Sequence, residues 1–577
     1  MSNESQSLLG ITRESLANVF STDEHVWKIL IFDVYGKEVL APLLTVGKLK
    51  SFGVSLLLPI NVKRSQIKNS CAVYFVQATE ENLNLICQDI EQNLYMCYYI
   101  DFIDYCESEF LELMVTKFNA IKHEFSINRV YDRYSLFIVD KENVFNLKIA
   151  HVLTYLYWKP TNDLEIINIT KKITKGLVSI CSTLECLPAV YYQDSVLPSN
   201  FIATQFIETM LGHAKQAPES KLGNLMLQNK ESSTALVILD RLFDLIPIFA
   251  HYWTYDHLIS DLLDRKNNFV SIKNVKYDLT DDTDKFYQSH QFSEFSTVIS
   301  ACASSLKTFS EKVKGLQTKK TNIENSVAQF DVDQTLSDAS NILKEKSDLD
   351  KHTNICEAML KRINARNIDK FADLAASIIA SSEIKQTLLS QVKALALDPS
   401  SDPSDVLRLL LATQIQYCGE IETFIDEVVY ARFQRIPSPI TFLRSILQNN
   451  YTNVLNTVQK DKTAEIPDQR SKLFGSVISK SKGILKQLSL TSGYNNNIIS
   501  LLNKILWKQI PENFFVKYLA PASGTIDRII LFIIGGGNYH EVKELQEWAS
   551  KHKITLIYGS TEFDNAAINI EEIEKLI

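Results

Sequence analysis

Four short apolar runs constrain this chain more than any other feature, because they lie far apart in sequence yet are useful only together. Pro188–Tyr192 and Ala235–Asp240 are strand-like, and so are Ile529–Ile534 and Thr555–Tyr558. The last two lie too near the end of the chain to build a full sheet of their own. They are expected to complete the sheet begun by the first two. The block between, Trp253–Trp507, then becomes an insertion. It reads as helical, with amphipathic runs at Phe292–Leu316, Thr335–Ala365, Ile368–Leu397, Ser404–Phe433 and Ile440–Val458. DPSSDPSD at Asp398–Asp405 breaks it, since each proline biases its predecessor away from helix.

Upstream, strand and helix signals alternate. Trp27–Phe32, Val54–Leu58, Ala72–Phe75, Tyr95–Phe102 and Leu136–Val139 read as strands, and Lys37–Lys50, Glu80–Ile90 and Glu107–Ile121 as helices, the second behind a Thr79 cap. Such alternation predicts a parallel sheet covered on both faces. The expected fold is therefore α/β plus α: an α/β domain over 1–150, a discontinuous α/β domain over 151–252 and 508–577, and a helical domain over 253–507.

With 577 residues, 45% of them hydrophobic, the chain has ample material for several cores. A net charge of −8 argues against a surface that wraps nucleic acid. Cys71, Cys87, Cys97, Cys106, Cys181, Cys186, Cys302, Cys356 and Cys418 form no CxxC and sit mostly in apolar runs, the usage expected of reduced core residues in a cytosolic protein. MSNESQSLLG has no secretory pattern, and no window approaches the roughly 18 apolar residues of a membrane span.

The run IILFIIGGGNYHEVKEL raises the question of a phosphate cradle. A dinucleotide fingerprint matches at Gly535 and Gly537 but meets His540 at its sixth position, and no Gly-Lys-Ser/Thr closes a P-loop. The alternative is a tight strand-to-helix turn that uses glycine for positive φ and close packing. Asp240-Arg241 ends a strand without a catalytic partner and reads as a structural ion pair. His251, His257, His290, His352 and His540 have no metal-ligand spacing. No catalytic residue, cofactor or metal is nominated.

One stretch carries a charge signal. From Gln469 to Pro511 there is no Asp or Glu, while Arg470, Lys472, Lys480, Lys482, Lys486, Lys504 and Lys508 are basic. Within it Leu473, Phe474, Val477, Ile478, Ile484, Leu485 and Leu488 share one helical face, with Lys480 and Lys486 off it. That is a membrane-contacting amphipathic helix or an ordinary packed one.

Ser233–Leu263, STALVILDRLFDLIPIFAHYWTYDHLISDLL, resembles the signature of the SM (Sec/Munc) family through Leu239, Asp240, Arg241, Asp244, Pro247, Trp253 and Tyr255. VWKILIFD near the start and FIIGGGNYHEVKELQEWASKHKITLIYGST at the end are similar as well, the latter most to the Sly-type, ER-to-Golgi branch. The resemblance implies a three-domain arch of two parallel-sheet α/β domains and a large, mostly helical inserted domain. It implies no enzyme. It implies a monomer, cytoplasmic and peripheral to ER, Golgi and vesicle membranes, that binds the N-peptide of a Golgi/ER syntaxin (the syntaxin five class) and assembles SNARE bundles around Thr283–Ala365.

The peptide site implied is an apolar groove between two helices of the first domain. EFLELMVTKFNAIKHEFSINRVYDRY supplies Phe110, Leu111, Met114, Val115, Ile127, Val130, Tyr131 and Tyr134 as its lining. The basic helix falls where that branch carries a mobile loop, here about 459–500. The alternatives are an SM protein of the vacuolar or endosomal branch, and a nucleotide-dependent α/β enzyme using Gly535–Gly537 with Asp240.

Overall fold

The computed structural model describes residues 7–20, 27–122, 125–157, 163–193, 198–228, 231–279, 284–323, 332–381, 383–417, 420–448, 497–509, 514–521, 524–563 and 566–575. The expected helix at 473–488 lies outside them.

The first sheet grows from the apolar run β1 (Lys28–Phe32), which is flanked by β2 (Val54–Pro59) and β3 (Ile67–Val76), with β4 (Tyr95–Phe102) and β5 (Ile127–Asp132) following. The order is β2-β1-β3-β4-β5, all parallel. The inner strands are buried along most of their length, as a sheet covered on both faces requires, while β5 at the edge stays half-exposed. Caps explain the crossing helices: Thr79 accepts from the Asn82 amide at the start of Glu80–Glu91, and Asp33 from Gly36 at the start of Val34–Leu40. The other oxygen of Asp33 accepts from the Gln77 amide at 2.8 Å, tying the end of β1 to the end of β3.

Leu136–Val139, read from sequence as the last strand of this sheet, is not one of its strands. Ile138–Lys141 (β6) and Val144–Asn146 (β7) form an antiparallel ribbon at the edge of the second sheet. Packing decides this. A Cβ at Gly559 would lie 2.1 Å from Phe145 Cζ, so the strand beside β7 has a glycine where the ring sits, and Phe145 stacks on Phe532 at 6.0 Å.

That second sheet has seven strands, adding β8 (Ala189–Gln193), β9 (Thr234–Asp240), β13 (Phe514–Tyr518), β14 (Arg528–Ile534) and β15 (Thr555–Ser560). Its order is β13-β8-β9-β14-β15-β7-β6. The C-terminal run β14 lies at its centre, with Ile529 opposite Ala235 on one side and opposite Leu556 on the other. The four runs separated in sequence thus share one sheet. β13, antiparallel to β8, carried no strand signal.

The described chain divides into two compact units, one of residues 1–241, 501–537 and 545–563, the other of 242–500, 538–544 and 564–577. The second is mainly helical, its longest helices being Phe295–Ile323 and Val332–Arg366. The sequence reading missed its small antiparallel sheet of β10 (Asp264–Lys266), β11 (Phe269–Ile272) and β12 (Val275–Asp278).

One cysteine expectation is corrected. Cys71 on β3 and Cys97 on β4 occupy facing register positions and are joined as a disulfide, with Cα atoms 4.8 Å apart. Cys87, Cys106, Cys181, Cys186, Cys302 and Cys356 are free.

Candidate functional site

Helix Ser108–Asn119 offers the first sheet a mixed face. Met114 is buried, and Phe110 sets its ring edge-on to Phe102 of β4 at 5.2 Å. Phe110, Met114, Ile127 and Val130 belong to one apolar cluster with Leu113, Phe118, Ile121 and Phe125. Leu111 and Val115, one turn apart, stand 40% and 53% exposed. Apolar side chains thus meet water on the same helix that packs Phe110 and Met114 into the cluster.

Of the candidate residues, Phe110, Leu111, Met114 and Val115 lie on this helix, and Ile127, Val130 and Tyr131 on the edge strand β5, which pairs with β4 from Tyr98 to Phe102. Side chains alternate along a strand, and Tyr131 points to the face opposite Val130. There its ring has Arg133 and Arg129 beside it, guanidinium carbons 4.9 and 5.8 Å from the ring centroid. Both arginines pair with buried Asp101 of β4, and Arg129 also donates to the Val19 carbonyl. Tyr134, at positive φ, stacks on Tyr105 at 6.0 Å and lies 3.4 Å from His213 Nδ1. Burial pushes its phenol up to about 12. Phe110, Met114, Ile127 and Val130 thus share one apolar cluster, and Leu111 and Val115 stand exposed on the same helix as the first two.

Sequence reading did not single out Leu113, Phe118, Ile121 and Phe125 of this cluster, although Met114 to Phe118 is a four-residue helical step. Phe118 and Phe125 meet edge-on at 6.2 Å. At one end of the helix, Glu107 binds Lys171 at 2.6 Å and Lys175 at 3.3 Å. Burial alone would raise its carboxyl; the two lysines hold it below the usual range.

The glycine run proves to be a built turn. The Gly535 and Gly536 amides donate to Thr561 Oγ1 at 3.1 and 3.2 Å, and the Gly537 amide to the Glu562 carbonyl at 2.8 Å. Donors that a phosphate would need are therefore already bound inside the protein. Gly535 and Gly536 have φ of 103° and 108°, and a Cβ at Gly537 would meet Phe563 at 2.8 Å. Buried Arg241 donates to the Gly536 carbonyl at 3.1 Å, and Asp240 accepts from the Ser199 amide at 3.3 Å. Arg241 holds this turn, and Asp240 ties the end of β9 to Ser199. In the helical unit Asn538 donates to the Pro247 carbonyl at 2.7 Å, joining two segments of that unit distant in sequence. Among the described residues no group of three metal-ligating side chains converges, and no helix is long and apolar enough to cross a membrane.

The fold defines a class: two α/β sheets with a helical insertion in the sequence. The sequence matches the Sec1 family over residues 28–572, and the chain belongs to that family. It is similar to Sec1 family domain-containing protein 1 of Mus musculus, at 25% identity over 96% of this chain and 94% of the relative. It is similar also to the SEC1 family transport protein SLY1 of Oryza sativa, at 26% identity over 96% and 91%, and to Protein SLY1 of Saccharomyces cerevisiae, at 23% over 97% and 92%. Among solved structures, the crystal structure of Sly1p with an N-terminal peptide of Sed5p superposes with a TM-score of 0.78 at 20% identity, over 99% of this chain and 98% of that one. The SM protein Vps45 with the Qa SNARE Tlg2 gives 0.78 at 18% identity, over 99% and 98%.

Proposed function

We propose that this chain is a Sly-type SM protein that binds the N-terminal peptide of an ER-to-Golgi syntaxin in the groove between helix Ser108–Asn119 and β5. The exposed pair Leu111 and Val115, over the half-buried Ile127 and Val130, carries the reading, because it presents apolar surface where a solvated helix face would be polar. An aromatic or aliphatic anchor of the peptide fills the groove and supplies most of the affinity. Sly1-type relatives across nearly the whole chain, and a solved relative that holds an N-terminal peptide of Sed5p, support this over a vacuolar or endosomal assignment.

The segment 283–365, which holds helices Phe295–Ile323 and Val332–Arg366, gathers SNARE motifs, lowering the entropic cost of aligning disordered chains. The protein acts as a scaffold without catalysis, from the cytoplasmic side of ER, Golgi and vesicle membranes. Leu473–Leu488 adds a basic contact to anionic lipid, on its sequence pattern alone.

Calorimetric titration of the full chain with a labelled syntaxin N-peptide tests the central claim. Saturable binding that Leu111→Asp weakens by about 2 kcal/mol, roughly thirtyfold, is expected. Binding that ignores the substitution defeats the assignment of the groove. For the lipid contact, Phe474→Asp with Ile478→Asp is expected to stop flotation with anionic vesicles, and unchanged flotation removes that role.

A further inference from the structure

Glu107 stands at the cap position of helix Ser108–Asn119 with an extended backbone, yet its carboxylate accepts from no amide of that helix. It turns instead to helix Asp163–Thr183, where it accepts from Lys171 at 2.6 Å and meets Lys175 at 3.3 Å. A helix start without a side-chain cap forgoes stability that a capping bond would supply. The carboxylate is committed to a neighbouring helix. Lys175 is the centre of that contact. Its ammonium has three protons and three acceptors in reach, Asp104 Oδ2 at 3.0 Å, Glu107 Oε1 at 3.3 Å and the Tyr105 carbonyl at 3.5 Å, and it lies 4.9 Å from the centroid of the Tyr105 ring. No donor is left over for a ligand. The three acceptors belong to the turn that leads from β4 into helix Ser108–Asn119.

The same helix also reaches the end of β5. Thr183 donates to the Tyr134 carbonyl at 3.1 Å, two residues past that strand, and the Tyr134 ring stacks on Tyr105. Strand and helix are tied directly at this end as well, the Cys106 amide donating to Asp132 Oδ2 at 3.1 Å. Helix Asp163–Thr183 is itself fixed. Ile173, Leu177 and Val178 lie in the core, and a Cβ at Gly176, beside Lys175, would come within 2.5 Å of Leu147 Cδ2. A helix packed that closely has no room to slide, so it holds the start of helix Ser108–Asn119 and the end of β5 against one rigid support.

We propose that Lys175 is a positioning residue for peptide capture: without touching the peptide, it sets the separation of helix Ser108–Asn119 from β5 and so the fit of an anchor between them. The inference rests on the peptide site proposed above. Lys175 and Asp104 are both largely shielded from water, so their attraction is weakly screened, and loss of the ammonium releases Asp104 and Glu107 together. Asp104 keeps the Ala78 amide at 2.9 Å, which leaves β4 in register and frees chiefly the turn and the helix behind it. Lys171, half-exposed and bound to Glu107, is a surface pair of small effect.

The experiment titrates the full chain and its variants with the syntaxin N-peptide and follows amide exchange in each free protein. Lys175→Met is expected to weaken binding about tenfold and Glu107→Gln several-fold, with Lys175→Arg recovering most of the loss. Exchange along 111–118 is expected to quicken several-fold in the first two and to stay unchanged in helix Glu80–Glu91. In a double-mutant cycle, the losses from Lys175→Met and Leu111→Ala are expected to fall short of multiplying by about threefold, whereas a mere loss of stability leaves them independent. The proposal is overturned if Lys175→Met and Glu107→Gln bind like the unmodified chain while Leu111→Asp weakens binding, a result that leaves the peptide site standing. If Leu111→Asp changes nothing, the site itself fails and the role of Lys175 in capture fails with it. Glu107→Gln keeps the Lys175–Asp104 pair and decides the outcome even if Lys175→Met does not fold.

Discussion

The groove on the first sheet and the polar core of the helical unit use side chains in opposite ways. At the groove, apolar Leu111 and Val115 are left in water. In the helical unit, charged groups are taken out of it. Arg408 is fully buried, with Nη1 2.9 Å from both Asp261 oxygens, Nε on the Phe249 carbonyl and Nη2 on that of Ala250. Asp405 beside it accepts from Arg366 at 2.6 and 2.9 Å and lies 3.0 Å from His251 Nε2. Burial alone would raise the Asp405 carboxyl; His251 and Arg366 outweigh it and hold the group far below the usual range. An exposed apolar pair costs little and waits for a partner. A buried charge network is tolerated only when every member is matched, so it fixes geometry. Misfit in one region should cost binding and in the other folding.

The largest effect expected to break that contrast is at Asp405. Asp405→Ala leaves Arg366 and Arg408 short of a counter-charge and is expected to cost about 3–5 kcal/mol in urea unfolding of the helical unit. Acidification should act on the same region. Burial, chiefly, holds His257 down to about 4, below the ordinary histidine value near 6.5, and lowers His251 too. Between those pH values the unfolded chain binds more protons, so stability falls as pH falls, by up to roughly 1.4 kcal/mol per unit for each such histidine. Burial would raise Asp284, but His352 and Lys351 bring it to about 2, so a further loss is expected below about pH 4. Thermal melts from pH 7 to 3 check both stages.

Intermediate effects belong to the groove and the glycine turn. Leu111→Asp is expected to weaken peptide binding by about 2 kcal/mol with stability changed by less than ~0.5 kcal/mol, whereas Val130→Asp should lose both binding and stability. Gly537→Val forces a side chain against Phe563 and is expected to cost about 1–3 kcal/mol in a melt, with ATP, GTP and NAD titrations flat in both proteins. Smallest of all is Tyr131→Ala: with its ring on the opposite face from Val130, peptide affinity should stay within about twofold, and a larger loss would mean the groove wraps the sheet edge.

Much of this was legible in the chain itself. Continuous apolar runs located β1, β4, β8, β9, β14 and β15, because a strand buried on both faces must be apolar throughout. The helix bearing Leu111 and Val115 was legible from its spacing, and His540 already weakened the phosphate reading. What the residues did not carry was partnership. Ile138–Lys141 reads alike in either sheet, and only the room at Gly559 for Phe145 assigns it to the second. Tyr131 and Val130 are adjacent apolar letters, and only pairing with β4 sends them to opposite faces. β13 and the small sheet β10–β12 are short and partly exposed, so they lack the apolar run that reveals a buried strand.

Sequence by itself determined which segments must be buried and that the C-terminal runs had to return to a sheet begun before residue 240, since local hydrophobic pattern is a property of the chain. Tertiary structure alone decided which strand sits beside which, where Asp405 finds Arg366, and that Cys71 faces Cys97. Those are contacts between residues far apart in the chain, and steric fit and charge matching select them only once the folded surfaces meet.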